Sequence, residues 1–236
     1  LAFEPFLRKN PVLMDALIGI YERNILGWPA TAVLPYSESL SRFPAHLQQL
    51  DMESNGKSVN REGHPISYST GPLVFGEPGT NGQHSFYQLL HQGSDIIPLQ
   101  FIGFLRNQLS PDIISEGSSS RQKLLANLIA QMLAFAIGKK DENPSKTFSG
   151  NRPSTLLLAR ELGPRQLGAL YSHFENKVMF QGFVWNLNSF DQEGVQLGKI
   201  LAKKALSSIT KGESTDDELL DAFIASALRA VENNGD

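Results

Sequence analysis

Residues 71–93 read GPLVFGEPGTNGQHSFYQLLHQG. The short apolar run GPLVF ends in the glycine-rich GEPGTNGQH, which passes into a helical pattern carried by Phe86, Tyr87, Leu89 and Leu90. Strand, tight turn and helix form the unit from which parallel α/β sheets are built. Glycine lets the backbone turn sharply from a strand end into a helix N-terminus, where N–H groups face a polar ligand. The same pattern serves as a plain structural turn, and on the residues alone both readings stay open.

Outward from this segment the unit repeats. ATAVLPY (30–36), DIIPLQFIGFL (95–105) and TLLLA (155–159) are further apolar runs bounded by Gly and Pro, and each reads as a buried strand. FQGFVWNL (180–187) reads as another, after a helix that starts near Pro164. Leu124, Leu125, Leu128, Ile129, Met132, Leu133, Ala136 and Ile137 follow the spacing of a core-facing helix. The expected fold class is therefore α/β, a parallel sheet with helices on both faces. Residues 55–69 and 139–153 are polar and rich in turn formers, the first resembling a hairpin or extended excursion, the second a surface connection. Thr215-Asp216-Asp217-Glu218 reads as a capping box. The helix it opens places Leu219, Leu220, Phe223, Ile224, Ala227, Leu228 and Val231 on one stripe that must dock somewhere. No internal repeat or low-complexity tract is present.

Composition excludes several function classes. The 236 residues are 41% hydrophobic and 19% charged, enough for a substantial core without disulfides or metal. Cysteine is absent, which removes thiolate nucleophiles and Cys-based zinc sites and fits a reducing compartment. A net charge of −3 and no dense Lys/Arg block give no electrostatic support for nucleic-acid or anionic-membrane binding. The longest apolar stretch, 124–138, is broken by Asn127 and Gln131 and falls short of the ~20 residues that span a bilayer. We read it as a buried helix. Leu1-Ala2-Phe3-Glu4 lacks a Met and a basic-then-apolar leader, so the expectation is a piece of a longer chain with no signal peptide.

Three segments hold candidate chemistry. His84 closes the glycine-rich turn, where a lone His also serves to hydrogen-bond the loop. His46, His64, His91 and His173 show no paired metal-ligand spacing. Glu53, in Asp51-Met52-Glu53-Ser54-Asn55-Gly56, stands where the helical pattern of Leu40, Phe43, Leu47 and Leu50 meets the polar loop. It is a candidate general base, or equally a solvated helix-end residue. Gln192 and Lys199 are seven residues apart, away from the stripe of Leu197, Ile200, Leu201 and Ala205. If both are helical, about two turns put them on one face. A plain surface role for Lys199 stays open.

At these segments the sequence closely resembles the glucose-6-phosphate isomerase family. The matching stretches are QQLDMESNGK (48–57), residues 71–93, GNRPS (150–154) and LGALYSHFENKVMFQGFVWNLNSFDQEGVQLGK (167–199). Together they span most of the chain from about Asn10 to Leu206. The resemblance implies the second of two sugar-isomerase-type (SIS) domains plus a C-terminal helical arm, that is, the C-terminal half. The expected organisation is a helical lead-in at 1–29, the α/β domain at 30–188 and the helical segment at 189–236. The family's catalytic glutamate falls on Glu53, its histidine on His84 and its lysine on Lys199, while Gln49 and Gln192 match substrate-contacting positions. Leu50 stands where the family usually has Gly, and Glu193 where Trp is common, which adds a negative charge beside the site. The family's phosphate-binding segment and an intermediate-stabilising arginine lie upstream of anything matched.

The implied reaction interconverts glucose 6-phosphate and fructose 6-phosphate, in glycolysis and gluconeogenesis. One carboxylate, Glu53, moves the proton between C2 and C1 of a cis-enediol. By the resemblance His84 and Lys199 open the ring, and Gln49 and Gln192 hold hydroxyls. No metal or organic cofactor is expected. The implied partners are a sugar phosphate and a second subunit in a homodimer with a shared site, in the cytoplasm. The other reading is a non-catalytic sugar-phosphate-binding module of the same fold. The joint presence of Glu53, His84 and Lys199 favours the enzyme, because a sensor has no need of all three.

Overall fold

The computed structural model describes residues 9–108 and 111–232. The chain divides into two compact units between Phe190 and Asp191.

The first unit is built on four parallel strands: β1 (Ala30–Pro35), β2 (Leu73–Phe75), β3 (Leu99–Phe104) and, last in the sheet, β6 (Ser154–Ala159). Their order is β2-β1-β3-β6. β1 pairs with β2 through Ala30 with Leu73, and with β3 through Ala32 with Leu99; β3 pairs with β6 through Leu99 with Ser154. All six residues of β3 are buried, as expected of a strand covered on both faces.

Alternation divides the core in two. Ala30, Ala32 and Leu34 of β1 and Tyr36 directly after it, with Leu99 and Phe101 of β3, pack on one face. They meet Tyr87 and Leu90 of α3 (Tyr87–Gln92) and Leu128 and Phe135 of α4 (Ser120–Ile137). Val33, Ile102 and Phe104 face the other way, toward Phe43 and Leu47 of α2 (Phe43–Leu47) and Leu170 and Phe174 of α5 (Pro164–Val184). α1 (Pro11–Ile20), capped by the Asn10 side chain and with Pro11 in its first turn, packs against α5. A two-residue ladder, β4 (Ile114–Ser115) with β5 (Ser118–Ser119), leads into the Ser119/Gln122 capping box of α4.

Three expectations change. Residues 180–187 do not form a strand: 180–184 complete α5, and Trp185 is its C-cap. Leu170, Phe174, Val178, Gln181 and Trp185 recur at three- and four-residue steps, so all five are buried on one side. Aromatic and β-branched residues gave the segment its strand-like look, and helix packing overrides that preference. The stripe of α4 is only half covered. Leu128 and Phe135 are buried and Leu124 and Met132 pack on the core, but Ile129, Leu133 and Ile137 are exposed. It is not the wholly buried helix that composition suggested.

The second unit pairs α6 (Gln196–Lys211) with α7 (Glu218–Glu232). Gly212, at φ 70°, ends α6 in the left-handed conformation, and Lys204 Nζ donates to the Thr215 carbonyl. The cap of α7 is Asp217, not Thr215: its Oδ1 accepts from the N–H groups of Leu219 and Leu220. The Thr215 hydroxyl instead donates to Asp221. On α7, Leu219, Phe223, Leu228 and Val231 are exposed, as are Leu197 and Ile200 on α6.

Candidate functional site

The glycine-rich turn lies flat against the carboxyl end of β1. The Gly79 N–H donates to the Pro35 carbonyl at 2.8 Å. A Cβ on Gly76 would come within 1.8 Å of the Val33 carbonyl oxygen, and one on Gly79 within 2.4 Å of the Tyr36 ring. Both glycines are thus required by close approach. Thr80, at φ 70° and ψ −47°, takes a conformation that side chains avoid, at a cost of roughly 1–3 kcal/mol. A short 3₁₀ turn, Asn81–His84, follows. Gln83 Nε2 donates to Asn127 Oδ1 of α4 at 2.6 Å, and the Tyr36 hydroxyl donates to the same oxygen at 3.1 Å. The turn is held from below while His84 itself is exposed. Asn127, read in the sequence only as a break in an apolar run, is its anchor.

Glu53 ends a π-helical turn, Gln48–Glu53, that continues α2. Such turns are rare and concentrate at functional sites. Gln49 is exposed and Glu53 half-buried, while Asp51, Ser54 and Asn55 are buried. Gln49 and Glu53, four residues apart, therefore share the outward side. The rest of MESNGK is anchorage. Asn55 is 0% exposed; its Nδ2 donates to the Val178 carbonyl at 2.9 Å and its Oδ1 accepts from the Ser189 hydroxyl at 2.6 Å. Gly182 makes room for this bond, since a Cβ there would lie 2.0 Å from Ser189 Oγ. Lys57 Nζ donates to the Glu53 carbonyl.

The turn that ends in Glu53 lies alongside β2, where Gln48 Nε2 donates to the Val74 carbonyl and the Val74 N–H to Met52 Sδ. The Gly71 N–H, before β2, donates to the Asn55 carbonyl, whereas the His84 turn follows the strand. The rule that ligands gather at the carboxyl ends of strands holds for His84.

Lys199 lies in the first turn of α6 and is exposed. Gln192 is exposed in the irregular segment before that helix, which begins only at Gln196. The shared helix face expected for these two does not exist.

Behind the Glu53 turn is a buried polar cluster that the sequence did not reveal. Asp15 Oδ2 pairs with His173 Nε2 at 2.9 Å, and Asp15 Oδ1 accepts from Lys177 Nζ at 3.2 Å and Gln100 Nε2 at 3.1 Å. Burial alone would raise the Asp15 pKa, but the Lys177 charge and the His173 hydrogen bond outweigh it and lower it to about 2. Burial pushes Asp51 up to about 6, against the pull of Lys177. The cluster draws on four elements, so no local spacing could announce it. Among the described residues no group of three or more His, Cys, Asp or Glu could hold a metal ion, and no helix is long and apolar enough to cross a membrane.

A parallel sheet flanked by helices, with a glycine-pinned turn at a strand end and a carboxylate on a π-helical turn, defines a protein of the α/β class. Comparison with known proteins narrows this. The family model described as phosphoglucose isomerase matches residues 3–223. The chain is 72% identical over 202 residues to the glucose-6-phosphate isomerase of Treponema denticola, covering 86% of this chain and 38% of that protein. It is 53% identical over 216 residues to that of Chlamydia pneumoniae, covering 92% and 41%. The crystal structure of a glucose-6-phosphate isomerase from Chlamydia trachomatis superposes with a TM-score of 0.84 at 54% identity, over 89% of this chain and 41% of that one. The chain belongs to the phosphoglucose isomerase family. It spans about two fifths of the length of these relatives.

Proposed function

We propose that the complete protein interconverts glucose 6-phosphate and fructose 6-phosphate through a cis-enediol, with Glu53 as the base. The supporting observation is the high identity to relatives of that name, over a chain that keeps Glu53 on a braced π-helical turn. Glu53 takes the proton from C2 and returns it to C1, while the carbonyl moves the other way. His84 and Lys199 move protons at the ring oxygen and its neighbouring hydroxyl to open the sugar. Gln49, on the outward side with Glu53, and Gln192 orient hydroxyls, which makes the step effectively unimolecular. The reaction needs neither metal nor organic cofactor. The remaining length of the relatives supplies the phosphate-binding segment and an arginine for the enediolate. This chain then contributes the SIS-type domain and helical arm of a cytoplasmic enzyme of glycolysis and gluconeogenesis.

We further propose a homodimer in which His84 serves the site of a second copy. The placement of the two groups supports this, Glu53 on a turn packed beside β2 and His84 exposed on the separate turn that follows the strand. The interface is isologous, with the exchange reciprocal.

Glu53→Gln in the complete gene product tests the base. It keeps the shape of the side chain, so substrate still binds, while turnover falls by ~10²–10⁴-fold. Solvent tritium entering substrate C2 at the normal rate in this variant would refute the assignment.

A further inference from the structure

Between α1, α5 and the Glu53 turn lies a narrow cavity of about 20 Å³, lined among others by Gly19, Asp51, Gln100, Lys177 and Gln181. A single water needs roughly 10–15 Å³ by the same measure and two to four polar partners, so this space holds one and not a cluster. Two side-chain oxygens belonging to its lining, Asp51 Oδ1 and Gln181 Oε1, are buried without a hydrogen-bond partner among the described residues. Asp51 is 8% exposed and Gln181 1%. An orphaned acceptor at such depth costs about 1–3 kcal/mol, so two beside one cavity call for a shared donor.

The orientation of Gln181 is settled by its other end. Nε2 donates to the Ala16 carbonyl at 3.3 Å, and Gly19 packs so close that a Cβ there would lie 2.5 Å from it. The oxygen is therefore the end left unpaired. Lys177 Nζ has three N–H groups and gives one to Asp15 Oδ1, which leaves donors to spare. The inventory is two acceptors and one donor. Water alone among small occupants matches it, giving two O–H bonds and accepting one. A cation is repelled by Lys177, and an anion by Asp51 and the nearby Asp15.

We propose that this cavity is a built site for one internal water, which donates to Asp51 Oδ1 and Gln181 Oε1, accepts from Lys177 Nζ, and so positions the turn bearing Gln49 and Glu53. Asp51 sits two residues before Glu53 and is buried where Glu53 is only half-buried. It ties the turn to α5 through the water, as Asn55 ties it directly through the Val178 carbonyl. Asp51 is a positioning residue: it touches no substrate and acts through the backbone of Glu53. This second half of the inference rests on the reading of Glu53 as the base, and the water site does not.

The test is a crystal structure of the complete gene product at a resolution that shows ordered water, joined to kinetics. A density peak is expected within about 3 Å of all three atoms. An empty cavity, or a peak with the short contacts of a metal ion, would overturn the site. Asp51→Leu removes the acceptor and fills the space; kcat is expected to fall roughly 10- to 100-fold while KM stays within about twofold. Asp51→Asn, which keeps an oxygen toward the water, recovers most of that loss. Should Asp51→Leu not fold, Gln181→Met takes its place with the same expectation. If Glu53→Gln retains turnover, the base assignment fails while the density still decides the water. If Glu53→Gln is inactive but folded Asp51→Leu or Gln181→Met keeps its kcat, the positioning role is overturned.

Discussion

Asp15 binds His173, Lys177 and Gln100 at once and so joins α1, α5 and β3. Its carboxyl is held at about 2, below the ordinary 3.8, so the folded state prefers the ionised form. Stabilisation from a depressed acid is fully present above the unfolded pKa and lost as pH falls toward the folded one. The window is therefore about pH 4 down to 2, and the contribution is about 2 kcal/mol. Asp15→Asn leaves Lys177 buried without its counter-charge and is expected to cost roughly 3–5 kcal/mol at pH 7. Urea unfolding across pH should show the acid limb between 4 and 2 flattened in this variant; an unchanged limb would remove Asp15 as its source. At this scale the sequence was only partly legible. Glu53 and His84 stood out through their neighbours, but nothing local in the sequence singles out Asp15, Asp51 or Lys177. Their partners lie up to 162 positions away in the chain, and only the fold brings them together.

The elements were more readable, because burial on both faces writes a strand as a continuous apolar run. β1, β2 and β3 fall within the runs expected, β6 begins one residue before its own, and α4 follows its apolar period. The failures share one cause. FQGFVWNL has the composition of a strand but continues the stripe set by Leu170, Phe174 and Val178, and the longer period decided. Likewise Asp217 outcompeted Thr215 as the cap of α7, because the Thr215 hydroxyl is engaged with Asp221. The glycine-rich turn is a device of β1 as much as of its own loop. Gly76→Ala would drive a Cβ into the Val33 carbonyl, a backbone atom that has nowhere to yield. Overpacking of this kind typically costs ~1–3 kcal/mol, and displacement of the His84 turn should lower activity as well. Thermal melts and turnover of the variant measure both effects; a variant as stable and active as the parent would show that the turn is not pinned to β1.

On the scale of the molecule, the first unit has a two-faced core of its own. The 236-residue chain is therefore expected to unfold cooperatively in urea by itself. It is not expected to isomerise glucose 6-phosphate. By the resemblance the phosphate-binding segment and the enediolate-stabilising arginine lie outside it, and loss of such stabilisation costs about 3–4 kcal/mol of barrier. A coupled assay with a Lys199→Ala control for host enzyme checks this, and turnover that vanishes in the control would show the remaining length to be dispensable. Glu53 and His84 of one chain are proposed to serve different sites in a pair. Complete gene products carrying Glu53→Gln and His84→Ala, each inactive alone, should be unfolded together and refolded as a mixture. In half of the randomly formed dimers both lesions fall in the same site and leave the other intact, so about a quarter of parental activity is expected to return. No activity, with the mixed dimer demonstrated by mass spectrometry, would show that each site is completed within one chain.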